Sequence, residues 1–149
     1  MTEIPLAADA IDVAGAGAVV DFCGIVRPME NGREIVGIDY DAHHTMAEHQ
    51  LKQIAGQAAD RFGLNLVRIH HRIGFVAAGE TSLFLRVASA HRSEGFRGSQ
   101  WIVDELKKRV PIWKRPRFKA AAGTIDAGHC RGQFKGAKDK PGSAIPATI

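Results

Sequence analysis

The sequence predicts an α+β fold: one domain of antiparallel strands with two main helices. Three observations carry this. Stretches of period-two alternation and stretches of helical spacing follow one another as strand, strand, helix, strand, strand, helix, strand. An Asn31-Gly32 turn signal lies between the first two strands. Pro111 stops the second helix, because its ring fixes φ and it has no N–H to donate.

The first strand is "GAVVDFCGIVR", residues 17–27, with Val20, Phe22 and Val26 on one face and Asp21 and Arg27 on the other. The turn "PMENGR" and the strand "EIVGIDYDA" follow. Val36, Ile38 and Tyr40 face one way, so the two strands are expected to form a hairpin. A helix over 45–62 places Ala47, Leu51, Ile54, Ala58 and Phe62 on one face. Thr45 and Glu48 fit a capping box at its start, and Gly63 fits its end. The stretch 65–73 reads as a strand with Val67, Ile69 and Ile73 inward, "GFVAAGE" as a turn region, and "TSLFLRVASA" as a strand with Leu83, Leu85 and Val87 on one face. The second helix, 93–109, has Ser93 as N-cap and Phe96, Val103, Leu106 and Val110 along one side. "IWKRPRF" is then extended. Residues 1–127 form the domain; 128–149, rich in Gly, Lys and Pro and without periodicity, read as a flexible basic tail.

Composition narrows the class. Hydrophobic residues make up 45% of the chain and charged residues 24%, as in globular proteins. No apolar run approaches the ~20 residues of a membrane helix. The acidic start "MTEIPLAADAIDVAG" lacks the basic region of a secretory signal, and two cysteines suggest no disulfide framework. A cytoplasmic location is expected. Cys23 reads as a small buried hydrophobe and Cys130 as a thiol in the tail. Residues 1–90 carry a net charge of −4 and residues 91–149 a net of +8, which points to an anionic ligand or partner near the second half.

Two clusters could carry chemistry. Seven of the fifteen residues in "ELKKRVPIWKRPRFK", 105–119, are Lys or Arg, around a Val110-Pro111-Ile112-Trp113 centre that reads as core. Lys108 lies four residues after Asp104, the spacing of a solvated ion pair. Lys107 flanks the buried face beside Leu106, so its stem can pack on apolar surface while its amine emerges at an edge or pocket. Lys114 follows just after the proline break. Lysines held this way suit acid/base or nucleophilic work; the plain alternative is a pair of snorkelling surface lysines. The second cluster is "SAHRSEGF", 89–96, at a strand-to-helix junction. A helix N-terminus favours anions, and His91 and Arg92 add a titratable donor and a guanidinium fork; the alternative is a pair that only bridges a loop. Arg27 is either a third cation of the same pocket or a strand-end surface residue. His43, His44 and His49 lack metal-ligand spacing, His70 and His71 point to opposite faces of a strand, and there is no phosphate loop. Neither a metal nor another cofactor is expected.

The stretches "CGIVR" (23–27), "YDAHHTMAEHQL" (40–51), "IHHRIGFVAAGETSLFLRVASAHRSEGF" (69–96) and "IVDELKKRVPIWKR" (102–115) together resemble the large, catalytic subunits of the molybdopterin synthase family. The resemblance spans about residues 17–115 and keeps the family's order. It implies an α/β hammerhead-type fold and a homodimer that binds two small ubiquitin-like sulfur-carrier subunits as a heterotetramer. The small subunit's C-terminal Gly-Gly thiocarboxylate then donates sulfur to cyclic pyranopterin monophosphate, building the dithiolene of molybdopterin. The family's functional lysines fall on Lys107 and Lys114. Its substrate-binding residues fall on Ile25, Val26, Arg27, His91 and Arg92, with Arg115 beside the second lysine. Pro116 stands where the family usually has an acidic residue, and the C-terminal region has no Trp.

The competing reading is a basic module that holds a nucleotide or RNA without chemistry, or a divergent paralogue without synthase activity. Single-strand binders display aromatics for base stacking, whereas Phe22, Tyr40 and Trp113 are expected to face inward or to sit beside the helix break.

Overall fold

The computed structural model describes residues 15–119 and 147–148. The elements are β1 (Ala18–Ile25), β2 (Met29–Glu30), β3 (Arg33–Ala42), α1 (His44–Phe62), β4 (Leu64–His71), β5 (Gly74–Ala77), β6 (Thr81–Ser89), α2 (Arg92–Arg109), β7 (Ile112–Phe118) and β8 (Ala147–Thr148). One sheet runs β1-β6-β4-β8, and a second runs β2-β3-β5 with β7 also paired to β3. Every described strand pair is antiparallel. With two helices against mainly antiparallel sheets, the fold is the expected α+β.

The main core lies between the helices and the first sheet. Leu51, Ile54 and Ala58 of α1, Ile102 and Leu106 of α2, and Ile69, Leu85 and Val87 of the strands are buried together. A smaller cluster of Val26, Ile35, Ile38, Tyr40 and Val76 holds the second sheet, and Ile112 packs against both clusters. Gly63 ends α1 in the left-handed region at φ 63, its N–H donating to the Ala59 carbonyl.

Several details depart from the sequence reading. The expected hairpin of the first two long strands does not form: β1 pairs with β6, and β3 pairs with the two-residue β2. Pro28 cannot donate to a ladder, and the chain changes sheets there. Asn31 (φ 50) and Gly32 (φ 76) make the tight turn of that short hairpin. Val36 is 40% exposed and Ile35 is buried, because the β3–β7 register slips between Ile35 and Gly37. Four of the seven residues of "GFVAAGE", Gly74–Ala77, form β5 rather than a turn.

The helix starts also move. His43, not Thr45, caps α1, accepting the Met46 N–H through Nδ1 at 3.4 Å. His91, not Ser93, is the N-cap of α2, without a side-chain capping bond. The buried face of α2 is Gly95, Gly98, Ser99, Ile102 and Leu106, while Phe96 is 61% exposed. A Cβ on Gly95 would sit 2.9 Å from Ser89 Oγ, so small residues let the helix lie directly on the sheet. Lys108 pairs with Glu105 at 3.2 Å rather than with Asp104. Phe22, Cys23 and Trp113 are exposed, not buried; β1 is a sheet edge, and β7 alternates Trp113 away from the core.

None of the helices among the described residues is long and apolar enough to cross a membrane. The expected tail, 128–149, lies outside the described residues except for β8, which pairs Ala147 with His71 and Thr148 with His70. Cys130 also lies outside them.

Candidate functional site

The first-sheet strands, the C-terminal end of α2 and the start of β7 enclose a cleft of about 400 Å³. That is a size suited to a small ligand. Its apolar wall comes from Phe22, Leu83, Val103, Leu106, Val110 and Ile112. Two cations stand over that wall, Lys107 from the last turn of α2 and Lys114 from β7. The local sequence explains how they meet. Leu106 is drawn into the core, so Lys107 beside it is carried to the cleft edge. Pro111 then ends the helix and turns the chain into β7, whose alternation sends Lys114 to the cleft side.

The same alternation sends Arg115 elsewhere. It pairs with Asp41 at 2.8 Å and, with Arg117 and its partner Asp39, lines a separate surface hollow on the second sheet. Ile25 lines the lysine cleft and is 57% exposed. Val26 is buried in the smaller core cluster, and its N–H and carbonyl are both taken, by Glu80 and Gly79. The Arg27 side chain is 80% exposed and approaches Glu30 at 3.7 Å.

His91 and Arg92 are exposed at the opposite end of α2. Fifteen residues of helix separate Arg92 from Lys107, about 22 Å at 1.5 Å per residue. A single copy of the chain therefore does not bring this pair and the lysines to one small molecule.

The sequence reading missed two cleft residues, Tyr40 and His71. Tyr40 is 5% exposed and meets the His71 ring edge-on at 5.1 Å between centroids. His71 Nδ1 lies 2.7 Å from the Arg72 carbonyl oxygen. A carbonyl only accepts, so Nδ1 carries the proton, and in the neutral ring Nε2 is an acceptor. Burial pushes the His71 pKa down and the Lys114 charge adds to this, while the bond to the Arg72 carbonyl opposes both. The signal was present: Ile69 and His71 are two apart on β4 and so share its inward face.

On β6, Arg86 is buried and holds Asp21 of β1 through two bonds of 2.5 and 2.6 Å. This bidentate pair ties β1 to β6 and keeps the Asp21 carboxyl below its usual range.

The family model described as MoaE protein matches residues 2–109. A molybdopterin synthase catalytic subunit from Pyrococcus abyssi is 40% identical over 105 residues, covering 70% of this chain and 71% of its own. One from Pseudomonas aeruginosa is 42% identical over 101 residues, covering 68% and 67%. The crystal structure of molybdopterin synthase from Staphylococcus aureus superposes with a TM-score of 0.68 at 31% identity, covering 72% of this chain and 79% of that one.

Proposed function

Because this chain belongs to the MoaE protein family, we propose that it is the catalytic subunit of a molybdopterin synthase. It is a sulfurtransferase: it takes sulfur from a thiocarboxylated ubiquitin-like small subunit and passes it to cyclic pyranopterin monophosphate, forming the molybdopterin dithiolene. The observation that carries this reading is the meeting of Lys107 and Lys114 over one apolar-walled cleft. The sulfur arrives already activated, so the reaction calls for amines that move protons and stabilise oxyanions. Lys107 and Lys114 fill the catalytic role. Ile25 offers apolar contact at the mouth, and Val26 holds the strand from which Arg27 extends. Arg27 and Arg115 supply cations at the periphery.

The protein works as a homodimer carrying two small subunits, in the cytoplasm. Residues 1–127 form the catalytic unit and 128–149 an appendage to it. His91 and Arg92 hold the substrate phosphate in the cleft of a second copy, since the length of α2 keeps them from their own. The alternative of a nucleic-acid module finds less support. Phe75, Trp113 and Phe118 are exposed on the second sheet, but Arg117 already covers the Phe75 ring and Arg33 the Phe118 ring, so two of these three faces are taken rather than open to bases.

The test is conversion of cyclic pyranopterin monophosphate by the purified chain with a thiocarboxylated small subunit. Product with both sulfurs installed is expected. A protein that binds the small subunit yet yields none would overturn the reading.

A further inference from the structure

We propose that His71 is a positioning residue of the lysine cleft: its neutral ring keeps Nε2 open as an acceptor that the Lys114 ammonium, not bonded to it in the structure, takes up when substrate is bound, and so aims that amine. The inference rests on the sulfur-transfer reading for its activity arm and stands apart from it in its titration arm.

Three observations lead here. His71 and Lys114 line the same cleft, and the lysine's charge acts on the ring. The Arg72 carbonyl fixes the proton on Nδ1, which leaves Nε2 as the acceptor. Nε2 has no protein partner among the described residues, whereas the one fully buried side-chain polar atom lacking a partner there is Glu94 Oε2. Nε2 is therefore reachable, and the cleft is the space that His71 borders.

The surroundings keep the ring neutral. α2 presents Lys107 to the cleft and β7 presents Lys114, both positive. β3 presents Tyr40, edge-on to the ring. β1 and β6 bring only Phe22, Gly24, Ile25, Ser82 and Leu83. On β4's own continuation, the Arg72 guanidinium is committed to Glu80 at 2.8 Å. Among the described residues no carboxylate lines the cleft to favour an imidazolium. A ring held neutral beside two ammonium groups accepts a hydrogen bond without repelling them. Protonation reverses this: it removes the acceptor and adds a third positive charge. Activity should then fall on an acidic limb below the ordinary histidine value of 6.5.

Two substitutions separate positioning from packing. In His71→Asn the side-chain amide can still donate to the Arg72 carbonyl but nothing reaches the Nε2 position. In His71→Gln an amide oxygen can take the Nε2 position and does not titrate. The Asn variant should lose about ten- to a hundredfold in kcat, with KM and small-subunit affinity within about threefold. The Gln variant should recover most of that loss and lack the acidic limb. In parallel, the His71 ring is titrated by NMR in the unaltered protein and in Lys114→Ala, without substrate; its pKa should rise when the lysine charge is removed. Full activity in the Asn variant, equal losses in both variants with the acidic limb retained, or an unmoved ring titration would each overturn the proposal. Absence of conversion by the unaltered protein would instead overturn the sulfur-transfer reading, and the ring titration would still decide the role of His71.

Discussion

The two ends of α2 are built in opposite ways. At the N-terminal end the helix is pressed onto the sheet by Gly95 and Gly98, and the side chains with chemistry, His91 and Arg92, face solvent. At the C-terminal end large residues, Ile102 and Leu106, fill the core, and Lys107 stands at the edge of a cleft that Lys114 completes. One end is a surface that offers cations outward; the other is half of a pocket. The sequence shows basic side chains at both ends, and the length of the helix shows that they cannot serve one pocket within one chain.

The largest effect should come from the pocket end. Lys107→Ala is expected to lower turnover by about 10²–10⁴-fold, the range of a lost acid–base group. Lys108→Ala should stay near the parent rate, because Lys108 points to Glu105 and water. Steady-state rates of the two variants check this, and equal losses would erase the distinction between neighbouring lysines.

At the other end, Arg92→Ala should weaken substrate binding by about tenfold, the value of one charge-assisted hydrogen bond, and leave small-subunit affinity unchanged. Separate titrations of substrate and small subunit distinguish the two. Unchanged substrate affinity would remove the N-terminal end from the site.

Two further predictions concern the sheet on which α2 lies. Asp21→Ala removes the bidentate link between β1 and β6 and should cost about 1.5–3 kcal/mol, the range of a charge-assisted hydrogen bond. Gly95→Val places methyl groups against Ser89 and Val20 and should cost about 1–3 kcal/mol. Denaturant unfolding measures both.

The smallest effect is in the pH dependence of stability. The His71 and His70 pKa values are both lowered, with burial the leading cause for each. Below 6.5 the unfolded chain therefore binds more protons than the folded one, so stability should fall as pH drops from 6.5 through the folded values. His71→Asn should flatten that slope in unfolding experiments between pH 7 and pH 5.

Much of this was legible in the chain. The face Ala47, Leu51, Ile54 and Ala58 of α1 follows directly from spacing, and Gly63 and Pro111 mark real ends. Lys107 could be placed at a rim from its neighbour Leu106 alone. The misses have physical causes. Large residues suggest an α2 face through Phe96, yet contact here is made by glycines that let the helix backbone approach the sheet. The Asn31-Gly32 turn is real, but the strand it joins to β3 is the two-residue β2, and the exchange of sheets at Pro28 leaves no period in the sequence. His71 carries no metal-ligand spacing, but its place two residues from Ile69 puts it on the inward face of β4.

The central claim is that the two ends of α2 complete one site across two copies of the chain. Subunit mixing tests it directly: Lys107→Ala and Arg92→Ala chains carrying different tags are co-expressed, and the mixed dimer is isolated and assayed with thiocarboxylated small subunit at substrate well below KM, where the binding defect of Arg92→Ala lowers the rate. In that dimer one site receives both defects and the other none, so about half of the unaltered dimer's turnover should return. A mixed dimer of Lys107→Ala with Lys114→Ala should recover nothing, because both lysines line the cleft of the same copy. Turnover in the first mixed dimer no higher than in its parent variants would contradict the account.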